Sequence, residues 1–219
     1  MVDFSLNKIF VEGITDQKCI EKIFEIRYGI TFPHDGIELN DAIINCVGWS
    51  NLKKQPALIN PYRLANNGKN LVLFDADTKY NEGGLKKRYK EIEDIIMQVH
   101  PQIKYKIYLL PNNQEDGDLE SFYCSCFKDN MSFFNACWDN MIHCITSSNA
   151  QNLTLKIPKS SEKVWSYVSL FENYKLDLND KNTKGQRNYF DKGLWNFDFS
   201  NNKYLVSLTQ FLETELELK

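Results

Sequence analysis

The sequence predicts an α/β fold: a mostly parallel sheet of about four strands flanked by helices, with a helical C-terminal elaboration. Three observations carry this. Four short apolar runs recur along the first half of the chain, segments with helical spacing lie between them, and turn residues bound each run. Strands alternating with helices favour a parallel sheet covered on both faces.

Lys8-Ile-Phe-Val11 is β-branched and aromatic, which suits a buried strand. After Glu12-Gly-Ile-Thr-Asp16, the residues Ile20, Ile23, Phe24 and Arg27 fall at helical spacing and Gly29 marks a stop, with Thr15 or Asp16 as the expected N-cap. Ala42 to Val47 is a second strand, followed by a helix-like segment from Leu52 to about Leu64 that Pro61 should break or bend. Asn70-Leu-Val-Leu-Phe74 is the clearest buried strand and runs into Asp75-Ala-Asp77. Leu85, Tyr89, Ile92, Ile96 and Val99 make an apolar stripe at i, i+4, i+7, i+11 and i+14, hence an amphipathic helix ending before Pro101. Tyr105 to Leu110 is the fourth strand, entering Pro111 and an acidic loop from Asn112 to Asp118. This order is Rossmann-like.

Beyond Leu119 the pattern is helical over Leu119 to Trp138 and Ser160 to Tyr174, polar and loop-like over Asp177 to Asp191, and helical again through Leu205, Leu208 and Leu212. The expected organisation is an α/β core over residues 1–118 and a mainly helical elaboration over 119–219 packed on it. Trp165 and Trp195 read as packing residues; His34, His100 and His143 have no consistent partners.

Composition narrows the function. Across 219 residues, 42% are hydrophobic and 25% charged, the mix of a folded globular chain. The net charge of −3 excludes a protein that coats nucleic acid by bulk charge, but a nucleic-acid enzyme needs only a local basic surface. No apolar stretch approaches the ~18–20 residues that span a bilayer, and the N-terminus lacks a basic region before an apolar run, so a cytoplasmic location is expected. Six cysteines then read as reduced thiols. Cys124, Cys126, Cys137, His143 and Cys144 fit no paired C-x₂-C zinc spacing. No G-x-x-x-x-G-K-[ST] sequence is present, so the chain carries no P-loop ATPase.

Chemistry concentrates where two strands end. Glu12 leaves the first strand, and Gly13 should allow a sharp turn behind it. Asp75 and Asp77 leave the third; two residues apart on a strand, they should point to the same side. If the first and third strands are neighbours, three carboxylates converge at the edge where open α/β sheets bind ligands. Such anions need a cation, and Mg²⁺, with Mn²⁺ as a substitute, matches an all-oxygen set completed by water or phosphate. Singly, each motif has an ordinary structural account: a helix cap for the first and a solvated strand end for the second.

Val11-Glu12-Gly13-Ile14-Thr15-Asp16 followed by Leu73-Phe74-Asp75-Ala76-Asp77 resembles the two signature motifs of the Toprim domain, shared by primases, type IA and II topoisomerases, the 5S rRNA maturase and the overcoming-lysogenisation-defect nucleases. The resemblance covers about residues 6 to 110. Asp75 to Thr78 with Gly83, Gly84 and Arg88, Pro111 with Asp116 to Glu120, and Trp195 to Asp198 are similar to a set of small bacterial Toprim-like proteins. The resemblance implies a Mg²⁺-dependent nuclease or related phosphodiester-transfer enzyme on nucleic acid. It makes Glu12 the general acid/base and a ligand beside Asp75 and Asp77, with Asp16 and Glu120 as outer or second-metal carboxylates. Lys86, Lys87 and Arg88, on the helix after the Asp pair, are candidate phosphate contacts, although Lys86 to Lys90 also reads as an exposed helix face. The chain is too short for topoisomerase strand passage and shows no primase zinc module.

Two alternatives compete. Leu71 to Thr78 also fits the D-x-D-x-[TV] motif of haloacid-dehalogenase-type phosphatases, with Asp75 as nucleophile and Asp77 as acid/base, but that reading leaves Glu12-Gly13 unexplained. The other is a non-catalytic module that binds metal or nucleotide within a larger assembly, with a partner protein supplying affinity for nucleic acid; a homodimer is the other association expected.

Overall fold

The computed structural model describes residues 2–32, 41–79, 82–148, 155–171 and 192–218. Its centre is a four-stranded, all-parallel, Rossmann-like sheet in the order β2-β1-β3-β4. The strands are β1 (Lys8–Val11), β2 (Ile43–Asn45), β3 (Asn70–Asp75) and β4 (Tyr105–Leu110). The register sets Val11 beside Asn45 on one side and Leu73 on the other, and Asp75 beside Leu110. Helices α1 (Ile14–Tyr28), α2 (Pro61–Ala65) and α3 (Leu85–Val99) connect the strands. Then come α4 (Leu119–Ser125), α5 (Ser132–Ser147), α6 (Ser160–Val168) and α7 (Lys203–Leu216).

The strands are apolar on both faces because both faces are covered. Phe10, Val72, Phe74, Ile107 and Leu109 pack with Ile92 and Ile96 of α3. The alternate residue Tyr108 turns to the opposite face, where its ring lies 5.1 Å from Phe211 of α7 and its hydroxyl meets Ser207 at 3.1 Å. Helix α1 shares that side, since Arg27 and Tyr28 both reach Glu213 of α7. Leu205, Leu208 and Leu212 of α7 are fully buried.

The chain forms two compact units: Met1–Leu119 with Phe199–Lys219, and Glu120–Asp198. The last 21 residues therefore group with the sheet, rather than with the helical stretch 119–219 in which the sequence placed them. The second unit is organised around aromatic rings. Phe127 stacks on Tyr167 at 3.9 Å, and Trp195 lies 5.5 Å from Tyr167. Phe127 also bridges Trp195 through the backbone, which takes it out of helix and splits the expected helix over Leu119 to Trp138 into α4, a 3₁₀ turn at Asp129–Met131 and the start of α5.

Other details differ from the sequence reading for local reasons. The N-cap of α1 is Gly13 in an extended conformation, so no special turn is needed there. Pro61 starts α2 instead of breaking a helix, because its missing N–H falls where none is required, and the Asn60 side chain caps Arg63. The stretch before it is two 3₁₀ turns, Trp49–Lys54 and Pro56–Ile59. In α3, Tyr89 is 42% exposed and Arg88 takes the buried position one turn before Ile92. Trp195 is buried as expected, but Trp165 is 45% exposed. The helix expected over Ser160 to Tyr174 ends at Val168, with Ser169 as its C-cap, while His34 and the polar loop over Asp177 to Asp191 lie outside the described residues. Among the described residues, no helix is long and apolar enough to cross a membrane.

Candidate active site

After β1 the chain builds β2 on one side of it and β3 on the other, so the strand order reverses between β1 and β3. The carboxyl edge at such a reversal is a natural binding crevice, because the connections leave in opposite directions. Glu12 and Asp75 stand at this edge.

Glu12 is pinned through its backbone. Its carbonyl accepts from Gly48 N–H at 2.8 Å, while Val11 accepts from Cys46 N–H at 2.9 Å. Glu12 is the first residue beyond β1, and its carboxyl lies near Asp77 and near Arg88 of α3. Burial pushes the Glu12 carboxyl above its ordinary range, and the Asp77 anion adds to this. Arg88 and the amides of Trp49 and Asp75 oppose it. Glu12 Oε2 is buried with no hydrogen-bond partner. The adjacent Cys46 thiol is pushed up to about 12 by burial and by Glu12, so it is a neutral wall residue rather than a nucleophile.

Asp75 ends β3, and its Oδ1 accepts the Leu119 N–H at 2.9 Å. Asp77 does not continue the strand. Its φ is 58°, its carbonyl accepts from Gly117 N–H at 3.0 Å, and its carboxylate turns to Arg88. The expectation that Asp75 and Asp77 align by strand alternation thus fails, because β3 stops at Asp75 and a left-handed residue follows. Gly83 presses on this turn: a Cβ there would meet Asp77 Cβ at 2.3 Å. Gly84, at φ 108°, then starts α3, and the Asp116 carboxylate caps Leu85 N–H at 2.7 Å.

One turn into α3, the Arg88 side chain is only 5% exposed. Its Nη2 lies 2.6 Å from Asp77 Oδ2 and its Nη1 3.1 Å from Glu91 Oε2. The guanidinium sits over the Trp49 ring at 4.3 Å, and Nε is buried without a hydrogen-bond partner. Arg88 is therefore an internal counter-ion and not a surface phosphate contact. Lys86 and Lys87, by contrast, are exposed.

Asp16 is the third residue of α1, and its Oδ2 accepts Gly13 N–H at 3.0 Å. Glu120 belongs to the second unit. In the acidic loop, Glu115 pairs with Lys203 at 2.6 Å and accepts from the Tyr204 hydroxyl at 3.0 Å, which ties the loop to α7.

The structure thus brings Glu12 and Asp77 together around Arg88 and directs Asp75 to Leu119. Among the described residues, no group of three or more His, Cys, Asp or Glu side chains is arranged to hold a metal ion. The donors still fit Mg²⁺ or Mn²⁺ in kind. One or two carboxylates suffice when water and phosphate oxygens complete the shell, and Glu12 Oε2 is a buried acceptor with nothing to accept from.

A family model matches residues 6–206, a span that includes Glu12, Asp75, Asp77 and Arg88. The chain belongs to the family described as "Protein of unknown function (DUF3226)". Comparison with curated proteins and with solved structures returned no match. The match runs through both compact units of this DUF3226 chain, so the family is not confined to the sheet.

Two parts of the site escaped the sequence reading. Trp49 carries no site motif, although Gly48-Trp49 directly follows the second strand at the carboxyl edge. The inward position of Arg88 had a signal, its i, i+4, i+8 spacing with Ile92 and Ile96, but Tyr89 was the more obvious apolar choice.

Proposed function

We propose that this chain is a Mg²⁺- or Mn²⁺-dependent nuclease or related phosphodiester-transfer enzyme, acting on nucleic acid through a Toprim-like carboxylate site. The observation that carries the reading is Glu12: a half-buried carboxyl with one buried, unpartnered oxygen and a raised pKa, set against Asp77 at the strand-order reversal. A carboxyl held above its ordinary range exchanges protons nearer neutral pH, as a general acid or base for a phosphate ester oxygen must. Asp77 and Asp75, with Glu12, would hold the cation, which when bound supplies charge neutralisation at the phosphoryl oxygens and a more acidic water. The Trp49 ring faces the Arg88 guanidinium at 4.3 Å, and the neutral Cys46 thiol lies near Glu12. Exposed Lys53 and Lys54 on the Trp49 segment, and Lys86 and Lys87 on α3, offer backbone phosphate contacts on the two elements that flank Arg88.

The test is cleavage of labelled single- and double-stranded DNA and RNA with Mg²⁺ or Mn²⁺, beside a generic phosphatase substrate, for wild type, Glu12→Gln and Asp75→Asn. Metal-dependent cleavage of nucleic acid that falls by about 10²-fold or more in Glu12→Gln is expected. Phosphatase turnover lost in Asp75→Asn but kept in Glu12→Gln would replace this reading with the dehalogenase-type phosphatase. Metal binding without turnover on any substrate would replace it with a binding module.

A further inference from the structure

We propose that Arg88 is a built-in counter-cation of the acidic site, seated on Asp77 in the metal-free protein and displaced onto Glu91 and Trp49 when a divalent cation binds. The inference rests on the metal-site reading above and adds how access to that site is controlled.

The guanidinium occupies the charge position a cation would take. Nη2 lies 2.6 Å from Asp77 Oδ2, and the side chain is almost wholly buried beside Glu12, whose charge it helps to balance. Two anions in a poorly solvated crevice repel unless a positive charge lies between them, and Arg88 supplies it from within the chain. An arginine cannot discharge itself to leave such a seat, so the exchange is one cation for another.

The seat is also built for exchange. Glu91 lies one helical turn after Arg88 and holds Nη1 at 3.1 Å, and the Trp49 ring supports the guanidinium plane at 4.3 Å. A small rotation of the side chain away from Asp77 would keep both contacts. The present seat leaves Nε buried and without a hydrogen bond, so the guanidinium is not fully satisfied where it stands. Asp77 is the more open partner of the pair, its side chain 25% exposed, which leaves a path for an incoming ion.

The experiment is direct Mn²⁺ and Mg²⁺ binding, by calorimetry and by the electron paramagnetic resonance of Mn²⁺, on wild type, Arg88→Met, Glu91→Gln and Asp77→Asn. Arg88→Met keeps a stem that can pack on Trp49 and removes the charge. It is expected to bind Mn²⁺ about tenfold or more tightly than wild type, because the competing cation is gone. Glu91→Gln removes the second seat, holds Arg88 on Asp77, and is expected to bind more weakly than wild type. It decides the question if Arg88→Met does not fold. Wild-type binding lost in Asp77→Asn, but unchanged or weakened in folded Arg88→Met and unchanged in Glu91→Gln, would overturn the exchange while leaving the metal site standing. No binding by any variant would overturn both.

Discussion

At the scale of single residues, the site is governed by where one carboxyl and one guanidinium are held. Burial and the Asp77 anion raise the pKa of Glu12 in the folded protein. The native state therefore binds the Glu12 proton more tightly than the unfolded chain does. The stability tied to this proton is fully present below the unfolded value near 4.5 and is lost as the pH rises through the raised folded value. Above that raised value, without metal, ionised Glu12 is a cost to the fold. Glu12→Gln, which cannot ionise, is expected to raise the metal-free Tm at pH 7, by about 2–4 °C for each ~1 kcal/mol relieved. The gain should shrink toward zero below about pH 4. Thermal unfolding across that pH range checks this, and an unchanged or lower Tm at pH 7 would contradict the assigned environment of Glu12.

At the scale of elements, the turn from β3 into α3 positions both Asp77 and Arg88. The Asp77 carbonyl is tied to Gly117, Gly83 is in close contact with Asp77, and Gly84 lets α3 begin at once so that Arg88 falls one turn in. Gly83→Ala would put its new methyl 2.3 Å from Asp77 Cβ and 2.8 Å from the Ala76 carbonyl. It is expected to cost about 1–3 kcal/mol of stability and to lower metal-dependent cleavage by moving Asp77. Gly29→Ala is the control. Gly29 closes α1 at φ 66° with nothing near its missing Cβ, so that change should cost about 1–2 kcal/mol and leave cleavage by the folded fraction intact. Equal activity in the two folded variants would remove Gly83 from the account of the site. This turn also marks where the sequence stopped being legible. The limits of β4 were read to the residue, and β3 nearly so, because continuous apolar runs between turn signals leave little choice. The left-handed Asp77 had no such signal, since Asp tolerates that conformation and equally well ends a strand. A buried arginine looks like a surface one until its partners are placed: Glu91 shares α3 with Arg88, three residues on, but Asp77 and Trp49 come from two other segments.

At the scale of the whole molecule, a sheet with both faces covered leaves its carboxyl edge as the place where polar side chains can gather. Two motifs more than sixty residues apart meet there because β1 and β3 are neighbours, a pairing the sequence could state only as a condition. The return of α7 to cover Tyr108 was hidden for a similar reason: an amphipathic helix at the end of a chain does not announce which surface it covers. The net charge of −3 includes Glu12, Asp75 and Asp77, and a bound divalent cation would offset two of those charges. Whether a cation binds at that edge is the central question. The most direct measurement is anomalous X-ray diffraction from crystals soaked in Mn²⁺. One strong peak is expected within about 2.0–2.4 Å of carboxylate oxygens of Glu12 and Asp77, with the Arg88 guanidinium moved off Asp77. An Arg88–Asp77 pair left intact, with no manganese beside Glu12, would contradict it.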